Sequence, residues 1–348
     1  MTTKAKTKKQ GTALILRTCS ADLTSHGGFQ WPDKIGAVVE APDWKKDNKC
    51  GHGLHGWLFG QGDHGCSSTV GDADAKWLVV EVGLSDLIAL GGKVKFPRCT
   101  IRHIGDKASA TQFLIANEPR AAGVAVIGAT LQAGDKELCQ VGAYGTATAG
   151  YKGTATAGDW GTATAGNEGT ATAGNEGTAT AGYKGTATAG NEGTATAGYK
   201  GTATAGYKGT ATAGYKGTAT AGKKGEIQIR YWDEKTERYR TVIGYIGEDG
   251  LEPGVAYKLD DNHRFVKAGG LIMKRATVVT ELPASTSRDM DKFVVRLPDG
   301  LRAEVEAEAR RDERSMNSVV IIALREYLHG QRRKQALLDA LTAATGGH

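Results

Sequence analysis

Gly145-Thr-Ala-Thr-Ala-Gly150 recurs letter for letter ten times between Gly145 and Gly222, the copies beginning at 145, 153, 161, 169, 177, 185, 193, 201, 209 and 217. The period is eight without a slip, and only the pair between copies varies: Tyr-Lys, Asn-Glu, Asp-Trp or a final Lys-Lys. Self-similarity at a fixed short period predicts stacked repeats, in which each unit packs only on its neighbours. Alternation by two places the threonines of an octad on one face of a strand and its alanines on the other. β-branched Thr suits an exposed pleat. Alanine fits an interior with room only for methyl groups, and the glycines are expected to make the tight bends. An octad extends over roughly 26 Å. Two octads therefore predict a flattened coil of sixteen residues. Five such coils at about 4.8 Å each make a rod about 24 Å long.

The composition bounds the remainder. The chain has 348 residues, a formal net charge of +6 and a glycine excess (50) concentrated in the array. Such a charge tolerates nucleic acid without demanding it. The opening Lys4-Ala-Lys-Thr-Lys-Lys9 reads as a frayed basic arm, and Ala13–Leu16 is too short for a signal peptide. No run approaches a transmembrane span. Five cysteines without a secretory mark fit a reducing cytoplasm.

The expected organisation is multi-domain: an N-terminal α/β or β-rich domain (1–125), a central β-solenoid of octapeptide repeats (126–225), a β cap (226–267), a linker (268–290), a ribbon–helix–helix (291–330) and a helical tail (331–348). In the first domain, Thr12–Arg17, Trp77–Val82 and Leu87–Leu90 read as strands and Ala108–Leu114 as a helix. Gly128–Gly134 is a degenerate octad suited to an N-terminal cap. Glu226–Trp232, Arg238–Ile246 and Val255–Leu259 read as strands that close the other end.

Cys50, His52, His55, His64 and Cys66 gather five soft or imidazole ligands within seventeen residues. Three readings stay open: a zinc site, a Gly-rich structural loop, or a Cys–His pair with Cys50 or Cys66 as nucleophile. No other motif calls for a cofactor, and the chain is expected not to be an enzyme.

Three resemblances accompany these readings. The frame Ala213-Gly-Tyr-Lys-Gly-Thr-Ala-Thr220 resembles the AGYGSTxT octapeptide of bacterial ice-nucleation proteins. It implies a water-ordering threonine face (Thr146, Thr148, Thr186, Thr188) and a tyrosine ladder (Tyr183, Tyr199, Tyr215). Tyr151 would share that edge, Asn167 would interrupt it, and Tyr207 would lie opposite. The run Cys50-Gly-His-Gly-Leu-His-Gly-Trp57 with Ala75-Lys-Trp-Leu-Val-Val80 resembles an uncharacterised domain of phage and bacterial proteins.

Phe293-Val-Val-Arg-Leu-Pro298, followed by Arg314-Ser-Met-Asn-Ser318, resembles the Arc/MetJ ribbon–helix–helix family. That resemblance implies a homodimer whose paired strands enter the DNA major groove. Lys292, Val294 and Arg296 would face the bases, and the backbone of Met316, Asn317 and Ser318 would hold a phosphate. Val294 departs from the usual polar residue. Residues 291–348 carry ten Lys/Arg against nine Asp/Glu, so little positive charge is left for phosphate neutralisation. The leading expectation is a cytoplasmic, dimeric DNA-binding protein of a phage or bacterium, a transcriptional regulator with a rigid solenoid spacer. The alternative is a structural or ice-binding-like solenoid in which the C-terminal module only dimerises.

Overall fold

The computed structural model describes residues 11–268. The expected linker beyond Ala268, ribbon–helix–helix and tail lie outside them.

The N-terminal domain is built from β1 (Thr12–Cys19), β2 (Thr24–Ser25), β3 (Phe29–Gln30), β4 (Val38–Glu40), β5 (Leu54–Leu58), β6 (Lys76–Gly83), β7 (Ile88–Ala89), β8 (Val94–Phe96), β9 (Arg98–Gly105) and α1 (Lys107–Asn117). Seven strands form one antiparallel sheet in the order β4-β9-β6-β1-β5-β8-β7. The apolar run of β1 lies between β6 and β5, with Leu16 opposite Val79 on one side and Trp57 on the other. A central strand is buried on both faces, and Ala13 through Leu16 are all buried. One helix covers the sheet. Asp106 caps it by accepting from the Ser109 N–H at 2.8 Å, and Leu114 sinks into the core. The domain is therefore a β-rich sheet with a single helix.

The array forms a two-sided parallel β-solenoid with sixteen residues per coil: Thr146 pairs with Thr162 on one sheet and Thr154 with Thr170 on the other. Every array alanine is buried, Ala147 and Ala163 completely, so the bore is lined by methyl groups as the alternation predicts.

The bends are made differently from the expectation. In each turn the left-handed residue is the second of the variable pair: Lys152 (φ 55°), Trp160 (53°), Glu168 (57°), Lys184 (51°). This conformation closes Gly150–Gly153 as a turn, with the Gly153 N–H donating to the Gly150 carbonyl at 3.1 Å. It also aims the Lys152 N–H at the Asn167 carbonyl of the next coil, 2.9 Å away. Holding a non-glycine residue there costs roughly 1 kcal/mol. That cost is offset by a hydrogen bond repeated at each turn from Lys152 to Lys208. The array glycines serve close approach instead. A Cβ on Gly190 would stand 2.6 Å from the Asn175 nitrogen, and one on Gly214 would stand 2.6 Å from the Gly198 carbonyl carbon.

The ends also differ in detail. Thr130–Ala133 pairs in register with Thr146–Ala149, and Leu138–Gln140 with Thr154–Thr156. The upstream degenerate octad is therefore part of a full first coil. The N-terminal domain covers that coil: Ile127 donates to the Gly60 carbonyl at 2.9 Å and Gly142 to the Val126 carbonyl at 2.8 Å. At the far end Glu226–Asp233 continues the ladder with isoleucine at the inward positions, Ile227 beside Ala211 and Ile229 beside Ala213. Arg238–Tyr245 folds back on it antiparallel. Tyr257–Leu259 and Phe265–Lys267 finish the other sheet, the latter a strand the sequence reading did not anticipate. Buried Ile227, Ile229, Leu251 and Tyr257 fill the mouth of the bore.

Close approach and left-handed φ predict opposite responses to substitution. Gly190→Ala should destabilise the solenoid by about 1–3 kcal/mol through overpacking against backbone. Lys184→Gly should change it by less than about 1 kcal/mol, since relief of φ strain and added chain entropy offset each other. Guanidinium denaturation of the two variants checks the contrast.

Candidate functional site

Three regions carry candidate residues. On the solenoid, the threonines form two surfaces, one per sheet. Thr146 and Thr148 lie on the sheet that runs through Thr162 and Thr178, whereas Thr186 and Thr188 lie on the opposite sheet with Thr170 and Thr202. The four residues therefore belong to two faces.

One edge carries the tyrosines. Tyr183 and Tyr199 stack at 5.5 Å with rings 6° from parallel, and Tyr199 and Tyr215 follow at 5.8 Å, tilted. Tyr239 of the cap hairpin extends the row at 6.3 Å. Tyr151 stands on this edge, its hydroxyl 3.4 Å from a Glu168 carboxylate oxygen. Asn167 replaces the ring contact with a hydrogen bond, its Oδ1 accepting from the Tyr183 N–H at 2.9 Å. Asp159, Asn175 and Asn191 repeat that bond on the opposite edge, ending at the N–H of Tyr207. Asn and Tyr are thus two ways of tying one coil to the next. The ion pairs Lys152–Glu168 (3.4 Å) and Lys208–Glu192 (3.2 Å) are exposed and add little.

The second region is a cleft of about 900 Å³ in the N-terminal domain. Cys50, His52, His55 and Cys66 all line it, whereas His64 does not. His64 instead packs edge-on against Tyr144 and Trp160, themselves stacked at 5.3 Å where the domain meets the solenoid. Among the described residues no three His, Cys, Asp or Glu side chains are grouped so that they could hold a metal ion. His52 faces Asp43 at 3.5 Å. Cys66 donates to Asp63 at 3.9 Å, and burial together with that carboxylate pushes its thiol pKa up. A carboxylate beside a thiol suppresses the thiolate that a Cys–His pair would need.

His55 and Arg17, which sequence reasoning treated as a possible ligand and as the end of an apolar run, are the unusual members of this cleft. The Nε2 of His55 is buried with no hydrogen-bond partner. Its pKa is pushed down to about 4 by burial and by the positive charges of Lys93, Arg17 and Lys95. Arg17 lies under the face of Trp31, its guanidinium carbon 3.9 Å from the ring centroid. One Nη donates to the His55 carbonyl at 3.3 Å, and its buried Nε–H has no acceptor. On the opposite face of β1, the hydroxyls of Thr18, Ser67 and Thr69 form a closed trio: Thr18–Ser67 2.6 Å, Thr69–Thr18 2.9 Å, Ser67–Thr69 3.3 Å. The trio joins β1 to a loop some fifty residues later, a pairing no local motif announces.

The third region, with Lys292, Val294, Arg296, Met316, Asn317 and Ser318, lies outside the described residues. Among the described residues no helix is long and apolar enough to cross a membrane.

A His55 pKa held below the unfolded value of about 6.5 fixes a sign. The folded state then binds fewer protons than the unfolded chain. The contribution is full above about pH 6.5 and is lost as pH falls toward 4. Thermal melts of the wild type should therefore weaken over that window, and His55→Gln should flatten the slope.

Comparison with known proteins assigns the regions separately. Residues 13–116 match a domain of unknown function, DUF7666, and residues 287–333 match the Arc-like DNA binding domain. The chain is 39% identical over 109 residues to the ice nucleation protein InaU of Pantoea ananas, covering 31% of this chain and 10% of that protein. It is 40% identical over 108 residues to an ice nucleation protein of Pseudomonas syringae, covering 30% of this chain and 9% of that protein. For an ice nucleation protein of Xanthomonas campestris pv. translucens the figures are 36% over 108 residues, 30% and 7%. The chain thus spans about a tenth of the length of these curated relatives. No solved structure matches. The chain joins a DUF7666 segment, an ice-nucleation-like solenoid and an Arc-like DNA-binding segment.

Proposed function

We propose that this protein is a dimeric, non-enzymatic DNA-binding regulator of the bacterial or phage cytoplasm, in which a stiff β-solenoid holds the N-terminal domain away from the DNA-binding end. The observation that carries this reading is the Arc-like DNA binding domain match at 287–333. Within it, Lys292, Val294 and Arg296 alternate as outward strand residues do, immediately before Pro298. Arg296 suits a bidentate contact with guanine, Lys292 a less specific one, and Val294 a thymine methyl. Met316, Asn317 and Ser318 would hold a phosphate at a helix start. Dimerisation is supported by the apolar set Val319, Val320, Ile321, Ile322, Leu324 and Leu328. A segment this short has little of its own against which to bury so many apolar side chains, and a second copy supplies the cover.

The solenoid supports the spacer role because both of its ends are covered, by the N-terminal domain and by the isoleucine-plugged cap. A rod with covered ends does not stack end to end. A second reading, an ice-binding-like or structural solenoid, draws on the threonine surfaces and on the likeness to ice nucleation proteins.

Fluorescence anisotropy of the full chain on a randomised duplex pool, across a salt series, tests the first reading. Wild type should bind with an affinity that falls steeply with salt, and Arg296→Ala should weaken it about 5- to 150-fold, as loss of a base contact worth about 1–3 kcal/mol implies. Absence of binding at low salt would reject it. For the second reading, Thr186→Tyr with Thr188→Tyr on one sheet and Thr178→Tyr with Thr180→Tyr on the other should each abolish ice-recrystallisation inhibition if that face acts. Inhibition that survives both pairs, or is missing in wild type, would exclude it.

A further inference from the structure

Sheets among the described residues end on short strands, with one exception. In the N-terminal sheet the edges β4 and β7 hold three and two residues. The solenoid sheet that runs through Thr154 and Thr170 ends on Phe265–Lys267, three residues that close on a lysine. Short edges and lysines are means by which a sheet avoids pairing with another chain. The sheet through Thr146 and Thr162 ends otherwise. Its last strand is Arg238–Tyr245, eight residues paired to Glu226–Asp233 without a register shift, and no further strand follows it among the described residues.

One bond fixes which groups this strand leaves free. The Ile246 N–H donates to the Gly225 carbonyl at 2.9 Å, in the register that sets Tyr245 opposite Glu226. Hydrogen-bonded and non-hydrogen-bonded pairs alternate along an antiparallel ladder. Arg238, Arg240, Val242 and Gly244 therefore bond inward to Glu226–Asp233, and Tyr239, Thr241 and Ile243 turn N–H and C=O to the open side. Among the described residues no backbone group meets them there. The outer face carries large apolar side chains: Tyr239 and Ile243 are each 50% exposed and Tyr245 52%. Gly244 packs on the other face, where an added Cβ would fall 2.5 Å from Leu251. Arg240 shares that face and holds Asp233 at 2.6 Å.

The residues of this edge complement their own reverse. For two copies related by a twofold axis, the free N–H and C=O groups meet only when the axis passes through Tyr239, Thr241 or Ile243. With the axis at Thr241, Tyr239 lies opposite Ile243 of the second copy, Thr241 opposite Thr241, and Ile243 opposite Tyr239. Aromatic–β-branched and Thr–Thr neighbours favour a ladder. On the other face Arg240 then meets Val242 and Arg238 meets Gly244, so no arginine stands directly opposite another. An axis at Tyr239 would set Arg238 against Arg240, like charges that oppose pairing. An axis at Ile243 would leave Tyr239 opposite Gly247, past the end of the strand.

We propose that Arg238–Tyr245 is a docking edge for a second copy of this chain, pairing antiparallel with the same strand across a twofold axis at Thr241. Each of the pairs at Tyr239, Thr241 and Ile243 exchanges two backbone hydrogen bonds, and the sheet runs on from one rod into the other. The isoleucine plug still keeps coil from stacking on coil. Edge pairing is a different contact, antiparallel and closed at two copies. The place where the chain leaves the described residues fits it. Ala268 directly follows Phe265–Lys267 at the same end of the rod, its N–H bonded to the Ala256 carbonyl at 2.7 Å. Two copies paired through their caps therefore have both chain exits at one joint. The inference goes beyond the DNA-binding reading and stands apart from it, since the contact lies within Arg238–Tyr245.

Cross-linking of the full chain without DNA tests it. Thr241→Cys sets a thiol opposite its own copy, with Cα atoms about 5.5 Å apart, within reach of a short bis-maleimide. Thr178→Cys, exposed on the same sheet in the middle of the rod, is the control, and wild type gives the background of exposed Cys50 and Cys66. The linked dimer of Thr241→Cys should exceed that of Thr178→Cys at least about tenfold. Adding Ile243→Pro removes an outward N–H that the cap itself does not use, and should cut the yield about tenfold. Adding Ile243→Val should retain it. Should the proline variant fail to fold, Ile243→Asp, which loses the Tyr239 contact at a half-exposed position, makes the same test. A yield no greater than that of Thr178→Cys overturns the proposal. A yield unchanged by Ile243→Pro or Ile243→Asp overturns it equally, since chains joined elsewhere would then bring the thiols together. An unlinked Thr241→Cys chain whose new thiol also resists a monofunctional maleimide would assign the edge to residues beyond Ala268 of the same chain, and overturns it too.

Discussion

The distance between one coil of the array and the next governs most of this molecule. Parallel strands separated by about 4.8 Å leave no room at the corners for a side-chain carbon, and glycine stands where a Cβ would fall 2.6–3.0 Å from the neighbouring backbone. Between the two sheets only methyl groups fit, so every inward array position is alanine. Glycine and alanine pack little apolar surface per residue. Cohesion therefore comes from hydrogen bonds repeated along the rod: the ladders themselves, the left-handed N–H of the turns from Lys152 to Lys208, and the side-chain oxygens of Asp159, Asn167, Asn175 and Asn191. Each is worth about 1 kcal/mol, and repetition makes the sum large.

A stack held in this way depends on its ends. The upstream coil admits Leu131 and Cys139 where the array has alanine, and the N-terminal domain closes over it. Downstream, isoleucine replaces alanine at the same inward register and antiparallel strands end both ladders. The rod is consequently finite. The join with the N-terminal domain is polar and aromatic together, with Lys107 bonded to the Tyr144 carbonyl and His64 against the Tyr144–Trp160 stack.

Much of the fold was legible because the repeat is strict. A period of eight with alternating Thr and Ala fixes strand faces, and tyrosines sixteen apart meet directly, as Tyr183 and Tyr199 do. The turn was not legible. Lys, Glu and Trp have no preference for left-handed φ, and tertiary hydrogen bonding imposes it on them. The two threonine surfaces were hidden for a related reason, since successive identical octads fall on opposite sheets. In the N-terminal domain the Cys and His cluster drew attention by residue type, and four of its five members do share a cleft. Their spacing in sequence gave no sign that His64 would pack instead against Tyr144 and Trp160. Arg17 looked like the end of an apolar strand, and the hydroxyl partners of Thr18 come from positions some fifty residues distant.

The chain carries two separate parts: an N-terminal domain joined to a finite rod, and a segment at residues 287–333 that matches the Arc-like DNA binding domain. The central claim is that two chains together occupy one stretch of DNA. Analytical ultracentrifugation of the full chain, alone and with a short duplex at low and high salt, measures this directly. The account predicts a dimer that co-sediments as two chains per duplex at low salt and releases the duplex as salt rises. A monomer, or a dimer that leaves the duplex free at every salt concentration, would contradict it.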